Sequence, residues 1–413
     1  YERYKDSGVE WLGEIPEHWG FKKLKYILKF HTGGTPTSGD SKYYEGNHLW
    51  ASISDLQSKF ITNTKSKIND SGVMVANIPL TPKGSLLFSF KLSIGHTGFA
   101  GVDLYTNEAI ASFLKTPNEC LEFWFYALPI FVIKNSYKNI YGANLLNQEL
   151  IKNASLLRPS LEEQNRIVEF LDRKTEEIDR AIAHKKRLIE LLEEQKTILI
   201  NQAVTKGLNP NAPMKDSGIE WLGKIPEHWK VIRLKFLLNE PLKYGANEEA
   251  TEQKYDNPRY IRITDFSEDG TLRNETFRSL PLNKAQEYLL EDGDILFARS
   301  GATVGKTFFF YNYQGKACFA GYLIKASPKK NLILPKFLYL YTKTPIFDSW
   351  KGIIFSKSTI QNIGADKYSI LPVITPKIEE QNKIIEFLDR KTEEIDRAIA
   401  HTKHLIKKLT ELK

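Results

Sequence analysis

The sequence predicts an α+β fold made twice: two mixed α/β bodies in tandem pseudo-twofold repeat, separated by two long antiparallel helices that form a coiled coil. Three observations predict it. Residues 5–19, KDSGVEWLGEIPEHW, return as residues 215–229, KDSGIEWLGKIPEHW, with thirteen of fifteen positions identical. Residues 162–184, EEQNRIVEFLDRKTEEIDRAIAH, return as residues 379–401 with twenty-one of twenty-three identical. Between these frames lie residues 20–158 and 230–375, which carry short β-rich runs and share little identity. Near-identical frames around divergent bodies imply one shared job, docking, and one differing job, recognition.

The first body occupies residues 1–159. Residues 73–75 and 85–89 are strand candidates, rich in β formers, and 119–126 read as a helix. Faint echoes of this body recur in the second, residues 215–375. Residues 49–56 (LWASISDL) resemble 260–266 (YIRITDF), and 84–88 (GSLLF) resemble 293–297 (GDILF). There the strand candidates are 294–298 and 307–311, and residues 335–341 stand as a helix where 119–126 stands in the first. The two bodies are therefore expected to share one fold.

A central helix is expected over residues 160–206. Leu171, Ile178, Leu192 and Leu199 keep a heptad register, interrupted at Lys185, while Ile167, Ala181, Ile182 and Leu188 widen the stripe. Ser160 with Glu163 makes a capping box, and Gly207, Asn209 and Pro210 end the helix. At ~1.5 Å per residue such a rod runs roughly 70 Å, and its apolar stripe needs a cover. The second copy supplies one: a closing helix over residues 376–413, joined through a linker at 207–214. Its cap is expected at Thr375, its first helical residue at Pro376, and its seam at Ile384, Leu388, Ile395, Ala398, Leu405 and Leu409.

Net charge is +8. Lys+Arg minus Asp+Glu gives 17 − 14 = +3 over residues 1–159 and 9 − 10 = −1 over 160–206. Residues 207–376 give 23 − 18 = +5, and residues 377–413 give 9 − 8 = +1. The positive excess sits in the bodies, which points to a polyanionic partner. Two distant cysteines, Cys120 and Cys318, suggest neither a disulfide framework nor a zinc site and fit a reducing cytoplasm. No apolar run reaches the ~20 residues that span a bilayer, so no membrane is expected. The start, Tyr1-Glu2-Arg3-Tyr4-Lys5, does not read as a signal peptide. It lacks a methionine and is expected to be trimmed.

Catalytic motifs fail on inspection. Residues 301–307, GATVGKT, place three residues between the glycines where a phosphate-binding loop needs four, and read instead as a turn that points Arg299 and Lys306 at a polyanion. Asn257-Pro258-Arg259-Tyr260 lacks the second proline of an adenine methyltransferase box. Glu194-Gln195-Lys196 lies in the helical rod without an aspartate partner, and the eight histidines form no HxxxH or HExxH pair. His18 and His228, beside Trp19 and Trp229, read as packing and hydrogen-bonding residues. No enzyme activity and no cofactor of its own are expected.

The opening motif and the basic-apolar run after it (Phe21-Lys22-Lys23-Leu24; Val231-Ile232-Arg233-Leu234) resemble one family. So do the 159–184 helix and the Ala203-Val204-Thr205-Lys206-Gly207-Leu208 tail. His31-Thr32-Gly33-Gly34-Thr35-Pro36 together with residues 49–56 adds to the likeness. Across its whole length the chain resembles the specificity subunit of Type I restriction–modification systems. The resemblance implies two target recognition domains, each reading one half of a bipartite, asymmetric site in double-stranded DNA. The conserved helices between them act as spacer and dock two methyltransferase (modification) subunits, through which restriction (motor-nuclease) subunits join. S-adenosylmethionine, ATP and magnesium belong to those partners. The second body has Leu242-Lys243-Tyr244-Gly245-Ala246 where the first has its Gly-Gly-Thr-Pro turn, so recognition contacts there do not transfer.

Sequence readout needs polar and cationic side chains at base edges and phosphates. The candidates on turns are Lys42, Ser52, Ser54, Lys91 and Asn144 in the first body, and Arg262, Thr264, Arg299, Ser300, Lys306 and Lys357 in the second. Helix and partner docking falls to Ile167, Leu171, Ile178, Ile182, Leu188, Leu192, Leu199, Ile384, Leu388, Ile395, Leu405 and Leu409. Two other readings remain open: a free-standing DNA-binding regulator, and a coiled-coil scaffold whose bodies ignore DNA.

Overall fold

A computed structural model describes residues 3–37, 40–138, 144–250, 253–267, 270–356 and 362–412. The chain divides into two compact units, Tyr1–Asp179 and Arg180–Lys413.

In the first unit a five-stranded sheet has the order Phe30–Thr32, Ile110–Phe113, Leu86–Ser89, Thr97–Ala100, Phe60–Ile61. Its neighbours are antiparallel except for the last pair, which is parallel. The central strands are buried on both faces, so they show no alternation of apolar and exposed polar residues. Helix Leu121–Lys134 covers the sheet with Trp124 and Leu128, which pack with Phe88, Phe113 and Leu156 into one core. Strands Gly20–Lys23 and Ser155–Arg158 pair antiparallel and bring the beginning and end of the body together.

The second unit repeats this plan. Its sheet has the order Lys243–Tyr244, Leu323–Ala326, Ile295–Ala298, Thr307–Phe309, all antiparallel. The body is closed by Lys230–Arg233 against Pro372–Thr375. In both units a further parallel pair stands apart from the main sheet: His48–Ala51 with Tyr105–Thr106, and Arg259–Ile261 with Ala317–Phe319. The core of the second unit gathers Phe297, Phe337, Tyr341, Phe347 and Val373. Its buried tyrosines place their hydroxyls on main-chain oxygens: Tyr341 donates to Pro372 at 2.7 Å and Tyr368 to Ala298 at 3.0 Å.

The central helix runs Leu161–Lys206 and the closing helix Ile378–Leu412. Within the second unit the end of the first packs antiparallel on the start of the second. Ile200, Ala203 and Val204 share a core with Ile384 and Leu388, and Lys196 pairs with Asp396 at 2.7 Å.

Three expectations change. Residues 73–75 are helical, not extended: helix Asp70–Val75 is capped by Asn69, whose side chain accepts the Gly72 N–H at 2.9 Å. This local capping overrides the β preference of the two valines. Thr375 ends a strand and donates to Val373, so it caps nothing, and the closing helix begins two residues after Pro376. Lys377 holds the place that Ser160 holds in the first repeat, and its carbonyl accepts from Glu380 and Gln381. In the seam, Leu188 and Ala398 face solvent. The buried stripe of the closing helix instead runs Ile384, Leu388, Ile395, Ile399 and Thr402.

Candidate nucleic-acid interface

Each body carries the same crossing. At Gly33 a Cβ would lie 1.8 Å from the Thr106 carbonyl oxygen, and at Gly245 it would lie 2.3 Å from that of Phe319. Only glycine allows either approach. The next residue then donates its N–H to that same carbonyl, Gly34 to Thr106 at 3.0 Å and Ala246 to Phe319 at 2.9 Å. The second body thus keeps the close approach of the first although its sequence there differs.

Beside each crossing the chain leaves the parallel pair through a single 3₁₀ turn, Ile53–Asp55 or Ile263–Asp265. An aspartate fixes both turns. Asp55 accepts from the Ser52 N–H and Oγ, each at 2.8 Å. Asp265 accepts from the Arg262 N–H at 2.7 Å and from its guanidinium at 2.8 and 3.2 Å. The turn therefore presents Ser52 and Ser54 in one body and Arg262 and Thr264 in the other, with Ser54 and Thr264 exposed.

A second turn adds to the same side of the second body. Arg299 and Ser300 follow the strand Ile295–Ala298; Arg299 donates its N–H to Tyr322 and stacks its guanidinium over Tyr244 at 5.0 Å. Its side chain reaches the Gly321 carbonyl only at 3.5 Å, and its Nε is buried without a partner among the described residues. Arg262, Thr264, Gly321 and Tyr322 line one cleft of about 260 Å³, so Arg262, Thr264 and Arg299 converge on the Gly321–Tyr322 turn. Donors held half-desolvated beside exposed aromatics suit base edges and stacked planes.

The remaining candidates are more dispersed. Lys42 is exposed and paired with Asp40 at 2.6 Å. Lys91 is exposed on the turn after Leu86–Ser89, in the place that Ser300 takes in the second body. Asn144 is exposed and accepts from Ser136 at 3.0 Å. Lys306 is exposed just before Thr307–Phe309. Lys357 lies outside the described residues.

Of the docking candidates, Ile384, Leu388 and Ile395 are buried. Ile167, Leu171, Ile178, Ile182, Leu192, Leu199, Leu405 and Leu409 are half-buried, while Leu188 is 45% exposed. Ile167 rests on the first body's core and Ile384 on the second's, so each helix begins by lying on its own body.

The frame itself is a latch made twice. Glu163 accepts from His18 Nε2 at 2.8 Å, Trp19 Nε1 at 3.1 Å and the Ser160 hydroxyl at 2.8 Å. Burial alone would raise its pKa, but these bonds outweigh burial and hold the carboxyl well below the usual carboxylate range. Glu380 accepts from His228 and Trp229, each at 2.9 Å. The next residue completes the latch. Gln164 accepts the Cys120 N–H at 3.0 Å and donates to the Pro159 carbonyl, and Gln381 does the same with the Leu334 N–H at 2.7 Å and the Pro376 carbonyl. Both glutamines are fully buried. Sequence reasoning passed over them, although a repeated polar residue on an apolar helix face was the signal.

The model of the Type I restriction modification DNA specificity domain matches this chain twice, over residues 16–194 and 226–411. The chain belongs to that family. It is similar to the Type I restriction enzyme MjaIX specificity subunit of Methanocaldococcus jannaschii, 24% identical over 306 residues, or 71% of this chain and 68% of that one. It is also similar to the Type I restriction enzyme EcoBI specificity subunit of Escherichia coli, 24% identical over 68% of this chain and 62% of the relative. Among solved structures, the HsdS subunit from Thermoanaerobacter tengcongensis superposes with a TM-score of 0.54 at 16% identity, covering 96% of both chains. A chain from the work on complex assembly and conformational transition of the type I R-M system gives 0.67 at 17% identity, again covering 96% of both. The tandem α+β fold of the specificity family is thus the fold of this chain. Among the described residues no helix is long and apolar enough to cross a membrane, and no group of His, Cys, Asp or Glu is arranged to hold a metal ion.

Proposed function

We propose that this chain is the DNA-reading subunit of a Type I restriction–modification complex. Each body reads one half of a bipartite, asymmetric duplex site, and the helical frame sets the distance between halves and docks two methyltransferase subunits, through which motor-nuclease subunits join. One observation carries the reading: the latch of opening tryptophan, helix glutamate and buried glutamine is the same in both repeats, while the side chains on the equivalent turns differ, Ser52 and Ser54 against Arg262 and Thr264. Identical docking with different readout is what a symmetric pair of partners over an asymmetric site requires.

Turnover falls to the partners, which bring S-adenosylmethionine, ATP and magnesium. Supporting this, the described carboxylates with lowered pKa are engaged structurally: Glu163 in the latch, Asp172 in bonds from Lys59 at 2.8 Å and Tyr126 at 2.5 Å, Glu240 with Lys243 and Lys325, and Glu394 with Lys391. Co-expression with the methyltransferase encoded beside it tests the reading. The expected product is a complex of two methyltransferases per chain that protects and methylates a split site. A chain that binds a specific duplex tightly without partners would be a regulator, and a complex indifferent to DNA would be a scaffold.

A further inference from the structure

The second body holds a cavity of about 900 Å³ where it meets the helices of its own unit. Among the described residues five cationic side chains line it, Lys196, Arg273, Lys306, Lys336 and Lys343, against one carboxylate, Asp389. Two of the five are neutralised: Lys336 pairs with Asp389 and Lys196 with Asp396, each at 2.7 Å. Arg273, Lys306 and Lys343 have no carboxylate within 4 Å among the described residues. Lys343 is anchored by donating to the Thr307 carbonyl at 2.8 Å, with its ammonium 4.6 Å from the Tyr339 ring. Hydroxyls of Thr264 and Thr303 share the wall. Arg273, Lys306 and Lys343 are all solvent-exposed, so an anion reaches them from solution and meets three cations and two hydroxyls.

The first body is built differently here. Helix residue Asp172 takes the place of Asp389 and is satisfied by Lys59 and Tyr126. Where the second body has Lys306 before its strand, the first has His96, and where it has Lys343 the first has Pro129. Lys306 and Lys343 thus have no lysine or arginine at the equivalent positions of the first body.

We propose that this cavity is a phosphate site that takes one phosphodiester of the DNA backbone beside the second half-site, held by Lys306, Lys343 and Arg273. The proposal rests on the DNA-reading function above and deepens it, adding a sequence-independent anchor to one body only. Its position next to Thr264 lets the same turn face a base edge and a backbone phosphate. The titration of Lys343 supports it. Desolvation, reinforced by Lys351 and Lys306 and opposed by Asp348, lowers the ammonium to about 8. A bound phosphate favours the charged form, so binding through this site draws a proton and weakens as pH rises above about 8.

The test uses the co-expressed complex and a random-sequence duplex, followed by anisotropy across a salt series and a pH series. Lys306→Gln and Lys343→Met are each expected to lower the slope of log affinity against log salt by about 0.9 and to weaken binding equally for all sequences. Lys343→Met should also abolish the loss of affinity between pH 8 and 9. Lys343→Arg, which stays charged, should keep neutral-pH affinity and bind as well at pH 9. Unchanged salt slope and pH profile in correctly folded Lys306→Gln and Lys343→Met would overturn the proposal while leaving the DNA-reading function intact. So would displacement confined to inorganic phosphate with no effect on the duplex, which would make this a site for a free anion. A wild-type complex that binds no duplex would instead sink the function itself.

Discussion

Trp229 donates its indole N–H to Glu380 across 2.9 Å, joining the opening motif of the second repeat to the first turn of its closing helix, 151 residues later. The same bond, Trp19 to Glu163 at 3.1 Å, joins the first repeat. These pairs explain why two stretches far apart in sequence repeat together: each is the other's partner. Trp229 is fully buried and Trp19 half-buried. Trp229→Ala is therefore expected to cost about 3–5 kcal/mol and Trp19→Ala clearly less, read as separate losses in chemical denaturation of the full chain. Equal losses would contradict the difference in burial.

The acid limb of stability follows from Glu163. Its folded pKa lies below the ordinary value of 4.5, so it contributes stability that is present above that pH and lost as pH falls through the lowered value. Glu163→Gln is expected to be destabilised by about 2–3 kcal/mol at pH 7, with the gap to wild type closing towards pH 3. Unfolding midpoints measured at both pH values check the sign.

The two arginines at the second crossing have different roles. Arg262 spends its guanidinium on Asp265 and the Thr276 carbonyl, so Arg262→Ala should loosen the turn and lower the melting temperature along with DNA affinity. Arg299 has a donor left over, so Arg299→Ala should leave melting nearly unchanged and relax preference at one base pair of the second half-site by about 1–3 kcal/mol. Competition binding against single-base variants of the site, beside a melting curve, separates the two.

Much of this was legible in the sequence because tandem repetition is independent of local structure prediction. Bodies, helices and the Ser160–Glu163 capping box followed from the repeats and the 3.6-residue period. What escaped was decided by single side chains. Asn69 turned a valine-rich run into a helix, and Lys377 took over the cap position expected at Thr375. The equivalence of Gly33 and Gly245 is invisible in their flanking residues, since it depends on which carbonyl the backbone approaches. The candidate interface was legible only as turns; the convergence of Arg262, Thr264 and Arg299 needed the parallel pair that brings residues 259–261 beside 317–319.

The seam makes its own prediction. Ile395 is 7% exposed, whereas its equivalent Ile178 is half-buried. A buried unpaired carboxylate costs several kcal/mol, so Ile395→Asp should lower the melting temperature more than Ile178→Asp, and both should lose methyltransferase co-purification. Unchanged melting and an unchanged complex would refute the seam.

The central claim is that each body reads alone on a fixed frame. Strands Lys230–Arg233 and Pro372–Thr375 pair only with one another among the described residues, so residues 230–375 enter and leave through one neck and can be exchanged there, provided the new body keeps the core contact with Ile384 and Leu388 and the bonds of Leu334 to Gln381 and Lys336 to Asp389. A matching body from a relative with another target that keeps these contacts should leave the rest of the chain, whose other contacts are distant, unperturbed. Methylation mapping of genomic DNA from cells carrying this hybrid with its methyltransferase is the most direct measurement. The account predicts that one half-site changes, the other is retained, and the spacer length stays the same. A change in both half-sites, or a new spacer with both helices intact, would contradict it.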